Sequence, residues 1–324
     1  MGASPSGTFN RPDLGQRFEE FDLLASSKGY IGTQVLPLFD ASLQSANFTT
    51  LPIEALLADV DLSRAPGGGY HGDDFQFEQD SFSTKEYGTE QRVDDRERAI
   101  YQYAIDIETI SRDRAMLRIA RGLEKRIAAA VFNTTTWTGA LTTAVTNKWS
   151  NFTNATPIDD VHNAMNTVRE RIGELPNVLI IDWKTMRRLS LCNQLVERLK
   201  YWGGDDPNVS GLAKAEVLAH ALGIERVIVA GGMKNTADKG QTASLSAVWS
   251  ATQAMVARIA TSKDLQEACI GRTFHFTADG SAGEFGAVEM YRDEKKRSDV
   301  IRVRHDVHEK IIYANAGQLL TNVG

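Results

Sequence analysis

The sequence predicts an α+β protein, and three observations predict it. Apolar residues recur at helical spacing through one long segment around position 120, short apolar runs alternate with helical ones between about 174 and 230, and strand patterns dominate from Ser244 onward. The order is one long helix, a compact α/β middle and a β-rich return. At 324 residues and 42% hydrophobic, the chain is long enough to bury one large or two medium cores.

Residues 1 to about 50 are mixed and weakly periodic, with Pro12 and Pro37, and read as an arm laid across other structure. Leu51, Ile53, Leu56, Leu57 and Val60 follow, and Pro66-Gly67-Gly68-Gly69 then breaks the chain at a hinge. From Phe75 to Tyr103 a strand-like segment is polar on nearly both faces. A turn near Tyr87-Gly88 makes it an extended antiparallel hairpin, too poor in apolar side chains to fold back on its own subunit. An isolated two-stranded hairpin is marginal in water, so it needs a surface from elsewhere, most economically another copy of the chain.

Ile105 to Phe132 carries the strongest helical pattern, with Met116, Ile119, Ala120, Leu123, Ile127, Ala130 and Val131 at three- and four-residue spacing. Its other face bears Arg112, Arg114, Arg118, Arg121, Lys125 and Arg126 against few acids. A Thr-rich loop with Trp137 and Trp149 leads to Thr156-Pro157, where Thr156 is the expected N-cap and Pro157 the first helical residue. That helix turns Val161, Met165, Val168 and Ile172 inward and stops near Gly173. A strand at Val178–Ile181, helical turns from Trp183 to Tyr201, a helix from Leu212 to Leu222 and a strand at Arg226–Ala230 make up the α/β middle. Strands at 244–259, 273–276, 285–291 and 299–320 complete the return.

The net charge of -6 argues against a dedicated duplex-DNA binder, because such affinity comes from clustered Lys and Arg. Cys192 and Cys269 lie far apart without CxxC spacing, which fits buried apolar thiols and no disulfide framework. No window approaches ~18 uninterrupted apolar residues, so no transmembrane span is expected. Gly231-Gly232 before Met233-Lys234 lacks the spacing of a phosphate loop, and no GxGxxG follows a strand. His305 and His308 fall on opposite faces of a strand, with no third ligand evident. Paired acids at 94–95, 159–160 and 205–206 suit caps and turns. No motif assembles an acid, a base and a nucleophile, so no catalytic, cofactor or metal residues are assigned.

In its order of features the chain resembles the major capsid proteins of tailed bacteriophages, of the Hong Kong 97 type. The resemblance rests on the polar hairpin followed at once by a long helix, on Glu174-Leu-Pro-Asn-Val-Leu-Ile-Ile-Asp182, on Leu212 to Gly223 before Val227–Ala230, on Ser246-Ala-Val-Trp-Ser250, and on Lys310 to Leu320. It covers nearly the whole chain. It implies an N-terminal arm (1–54), an extended loop (55–104), a peripheral domain with a spine helix (105–173 and 285–324) and an axial domain (174–284). It further implies assembly of hexamers and pentamers into an icosahedral virion shell in the host cytoplasm. The shell would enclose double-stranded DNA through weak non-specific contact, with separate scaffolding, portal and decoration proteins as possible partners and no membrane. An encapsulin-type compartment shares that fold, and a small-molecule enzyme built on the α/β middle is the remaining alternative.

In that setting the expected subunit interface joins Phe75, Phe77, Phe82 and Tyr87, as apolar anchors, to a basic loop holding Lys295, Lys296 and Arg297. Asp73, Asp74, Glu78 and Asp80 make the hairpin's first arm acidic, so it and the basic loop of a neighbour are expected to meet. Lys85 lies near the turn, where some capsid proteins of this type carry a crosslinking lysine. The loop 292–298 holds no asparagine to receive it, so a non-covalent clasp is expected.

Overall fold

A computed structural model describes residues 9–10, 29–50, 77–101, 107–201, 215–238, 240–265, 267–278 and 286–324, with isolated positions between 52 and 72. In chain order the strands are β1 (Phe9–Asn10), β2 (Leu38–Ala41), β3 (Ser45–Thr50), β4 (Glu78–Ser83), β5 (Lys85–Asp94), β6 (Thr142–Ala144), β7 (Val178–Asp182) and β8 (Arg226–Ala230). They continue with β9 (Met233–Asn235), β10 (Leu245–Ala247), β11 (Gln253–Ala257), β12 (Gly271–Phe276), β13 (Ala287–Asp293), β14 (Ser298–Ile311) and β15 (Gly317–Thr321). The helices are α1 (Gly32–Val35), α2 (Asp95–Tyr101), α3 (Ile107–Val131), α4 (Pro157–Ile172), α5 (Trp183–Leu191), α6 (Asn193–Tyr201) and α7 (Ala215–Leu222).

The 25-residue helix α3 is the axis about which the fold is arranged, ~37 Å long at 1.5 Å per residue. Its first half buries Ala115, Met116 and Ile119 against Val93 of β5, Val288 of β13 and Ile301 and Val303 of β14. Its second half buries Leu123, Ile127 and Val131 in a larger core with Val35, Leu36, Trp137, Trp249 and Ile180. Helix α4 starts and stops where the sequence predicts. Gly173 at its C-cap has φ +72°, a left-handed conformation that costs glycine little. Thr156 occupies the N-cap position, but its side chain makes no capping hydrogen bond.

Two larger sheets flank α3. One has the order β6-β15-β11-β7-β8, with β7 and β8 parallel and β11 antiparallel to both β7 and β15. Strand β7 is apolar on both faces because both are covered: Val178 and Ile180 face the core under α3, while Leu179 and Ile181 face a core shared with α5, α6 and α7. The other sheet has β1-β13-β14-β12-β2, and β5 pairs β14 on its remaining edge. The 14-residue β14 thus carries β5 along one side and β13, then β12, along the other.

The polar segment 75–103 is not a hairpin. Its supposed turn, Tyr87-Gly88, lies inside β5, which runs unbroken antiparallel to β14 from Lys85↔Val307 to Asp94↔Ser298. The arms on either side of Thr84 have separate partners, β4 pairing with β3 and β5 with β14. Strand β5 therefore does fold onto its own subunit. Backbone pairing and charge hold it there more than apolar area: Glu90 meets Arg302 at 2.9 Å and accepts from the Tyr291 hydroxyl at 3.1 Å. The true two-stranded ribbon is β3–β4, paired in register from Ser45↔Ser83 to Thr50↔Glu78, with residues 51–77 at its far end.

Candidate assembly surface

The root of the β3–β4 ribbon is fixed by an aromatic cluster. Phe82 lies parallel to Phe274 of β12 with ring centroids 4.3 Å apart, and Phe39 and Phe48 each approach Phe274 at 5.7 Å. Lys310 of β14 completes the latch by donating to the Asp80 carboxylate and to the Ser81 carbonyl, while its ammonium sits 5.5 Å from the Phe48 ring centroid. Phe82 is 7% exposed, so it anchors the ribbon to its own chain and is not available to a neighbour. Asp80 likewise spends its charge within the chain, which removes it from the acidic patch expected to seek a neighbour's basic loop.

Beyond the root the ribbon gains no third strand among the described residues. Its distal segment presents Leu57, Leu62, Tyr70 and Phe77 between 60 and 86% exposed, with Leu43 exposed at the turn into β3. Such a concentration of large apolar side chains on a ribbon that is weak by itself makes it the candidate assembly surface. Phe75, Asp73 and Asp74 lie outside the described residues. Pro66-Gly67 forms a turn with φ +84° at the glycine, in keeping with a bend there.

The other expected interface residues are spread along β14. Lys85 opens β5 opposite Val307, exposed, at the ribbon's root and not at a tip. Tyr87 is half-buried beneath the Arg126 guanidinium, which stands 3.7 Å over its ring, so it too is an internal contact. Lys295, Lys296 and Arg297 form the exposed turn between β13 and β14, with Arg297 at φ +48°. Lys85 and that turn are separated by nine positions of β14, roughly 30 Å at ~3.4 Å per residue.

The charges beneath the basic turn are already matched within the chain. Arg292 donates both terminal nitrogens to Asp95 at 2.6 Å and reaches Asp299 at 3.2 Å, and Arg98 bridges Asp299 and Glu108 at 2.5 Å each. The Arg292 hydrogen bonds hold the Asp95 carboxyl below the usual range. Lys296 lies 3.7 Å from Asp293.

Three titratable groups stand out that local sequence patterns do not reveal: Glu124 and His305, which are buried, and Glu267, which is partly buried. Glu124 of α3, 2% exposed, accepts from the backbone N–H of Ile31 and Gly32 at 3.0 and 2.6 Å and from the Trp249 indole at 2.5 Å. Burial raises its pKa, and the three donors pull against that rise. Glu267 accepts from the backbone and hydroxyl groups of Thr261 and Ser262 at 2.8 to 3.0 Å; burial pushes its carboxyl up, but these donors outweigh it and hold the pKa at about 2. His305 is fully buried with its ring centroid 4.9 Å from that of His275, and burial drives its pKa down to about 3. His308, on the other face of β14, accepts from the Ser83 N–H through Nδ1 at 3.2 Å.

Cys192 and Cys269 are free and buried, and burial lifts the Cys192 thiol to about 11. Among the described residues no group of three His, Cys, Asp or Glu side chains is placed to hold a metal ion, and no helix is long and apolar enough to cross a membrane. Over the C-terminal ends of β7 and β8 lies an open groove lined by Asp182, Trp183, Lys184, Met186 and Met233. Its carboxylate is committed to capping α5, where Asp182 accepts from the Lys184 N–H at 2.9 Å.

No protein-family model and no curated protein matches the sequence. Solved structures do match over nearly the whole length. A phage-related protein of Bordetella bronchiseptica RB50 is 20% identical with a TM-score of 0.71, covering 98% of each chain. The capsid of the cyanophage P-SCSP1u is 10% identical with a TM-score of 0.58, covering 99% of this chain and 90% of that one. The SrpI encapsulin of Synechococcus elongatus PCC 7942 is 12% identical with a TM-score of 0.51, covering 99% and 92%. By these likenesses the chain has the Hong Kong 97-type capsid-protein fold.

Proposed function

We propose that the chain is the structural subunit of an icosahedral phage head, assembling through hexamers and pentamers around double-stranded DNA. The observation that carries this reading is the β3–β4 ribbon: rooted in its own chain by Phe82 and Lys310, it ends in exposed Leu57, Leu62, Tyr70 and Phe77. A ribbon so placed functions as an arm over a neighbouring copy. In this reading residues 1–54 form the arm and 55–104 the extended loop. Residues 105–173 with 285–324 form the peripheral body and 174–284 the axial body, with β12 and β15 each paired into the other body's sheet. Scaffolding, portal and decoration proteins would be separate chains.

Likeness to the cyanophage capsid supports a phage head, and likeness to the SrpI encapsulin supports a shell without choosing its contents. The basic turn 295–297 is the favoured receiver for a neighbour's ribbon, setting register more than affinity, because exposed ion pairs contribute only ~0.2 to 1 kcal/mol each.

The test replaces residues 53–75 by a short Gly-Ser turn. A deletion through residue 92 would also remove β5 from its sheet, so it tests folding and not assembly. Light scattering should show capsomers or monomers with an unchanged melting temperature; shells of normal size would reject the ribbon as the assembly element. Reversing Lys295, Lys296 and Arg297 to Glu should weaken assembly at low salt, and unchanged assembly would exclude the turn.

A further inference from the structure

Helix α3 carries a feature that lies outside the candidate assembly surface described above. Of the six cations read on its polar face, the structure commits two elsewhere: Arg112 is 3% exposed and held by Asp113, and Arg126 bonds Glu309 at 2.8 Å. The other four, Arg114, Arg118, Arg121 and Lys125, follow one another at spacings of four, three and four residues. At 100° per residue they fall within about 60° of one another, forming a single stripe along the helix.

Arg114, Arg118 and Lys125 are exposed and Arg121 is half-buried, its Nε donating to the Tyr30 hydroxyl at 3.2 Å. None of the four forms an ion pair with a described residue. This contrasts with β5, β13 and β14, where Arg292, Arg302 and Arg304 all meet carboxylates. A helix face meant only for solvent gains from alternating charge, and i,i+4 pairs of like charge cost it stability. The stripe has two such pairs, 114–118 and 121–125.

We infer that this stripe is a binding surface for the phosphate backbone of double-stranded DNA. Four positive charges lie along ~16 Å of helix, beside which a duplex presents about nine phosphates, so the stripe neutralises a little under half of them. Protein partners fit less well: interfaces use arginine, but they are centred on aromatic and apolar anchors, and the stripe holds none. A second copy of this chain, at a net charge of -6, is attracted, but its exposed apolar side chains find no apolar partner on such a surface. Binding is weak, independent of sequence and steeply dependent on salt. The inference depends on the shell reading only for placing the stripe toward the lumen.

The test mixes the full chain with a fluorescein-labelled duplex of about 30 base pairs and follows anisotropy from roughly 50 to 200 mM salt. The slope of log K against log salt should be near -3.6, four contacts at about -0.9 each. The triple substitution Arg114→Gln, Arg118→Gln, Lys125→Gln should flatten that slope by about three and lower affinity roughly 100-fold near 0.1 M salt. Should the triple variant not fold, each single substitution should flatten the slope by about one, whereas Arg114→Lys should retain binding. Unchanged binding in the variants would overturn the inference, as would loss of binding on substituting Lys295 and Lys296 by Gln instead. Polyglutamate competing as well as unlabelled duplex, charge for charge, would assign the stripe to an acidic polypeptide and overturn it too. Light scattering on the same samples reports assembly separately: a chain that binds DNA through the stripe without forming shells would reject the shell reading and leave this one standing.

Discussion

Glu124 shows how much one side chain organises. Three donors from two distant segments converge on a carboxylate in the middle of the long helix, so Glu124→Ala strands two backbone N–H groups and an indole in the core. It should lower the unfolding free energy by about 3 kcal/mol in urea denaturation, the usual cost of leaving buried donors without acceptors. Glu267 makes a prediction about pH. Its folded pKa of about 2 lies below that of a free glutamate, so its stabilisation is present above about pH 4.5 and fades as pH falls toward 2. Glu267→Gln should destabilise the protein on the order of 2 kcal/mol at neutral pH and flatten the loss of stability between those limits. A variant with the same acid-induced decline as the parent would remove Glu267 as its source. Neither role is legible in sequence: in a helix of mixed polarity Glu124 reads as one more acid, and Thr261, Ser262 and Glu267 carry no recognisable spacing.

At the scale of elements, legibility followed the reach of the interactions. Helix α3, described from Ile107 to Val131, lies within the expected Ile105 to Phe132, because an apolar stripe at 3.6-residue period is written locally. Strands β7 and β8 were readable as apolar runs for the same reason. Pairing partners were not. The segment 75–103 looks too polar to be internal, but β5 obtains ten cross-strand partners from β14, more than two hundred residues away. Nor does the sequence show that Phe82 stacks on Phe274 and so belongs to the root of the ribbon. Of the expected interface set, Phe77, Lys85 and the turn 295–297 remain exposed, while Phe82 and Tyr87 are taken up internally. Phe82→Ala should therefore release the ribbon without unfolding the body, at a cost of about 3 kcal/mol. Hydrogen exchange should accelerate at amides of β3 and β4 and stay slow in β7 and β11. Acceleration throughout the sheets would mean that the aromatic cluster supports the whole fold.

For the whole molecule, the two sheets, the spine helix and the outreaching ribbon form a unit whose charges pair along its inner strands and whose outer surface leaves apolar and cationic side chains uncovered. The inner charges of β5, β13 and β14 are matched, whereas the distal ribbon keeps its apolar side chains exposed and α3 keeps its stripe of cations. Such a distribution suits the proposed shell subunit, with the ribbon for its own copies and the stripe for a polyanion. Electron microscopy of the purified full chain near neutral pH is the most direct measurement of that account. Closed particles with fivefold and sixfold capsomers are the predicted result; a chain that stays monomeric at every concentration examined would contradict it.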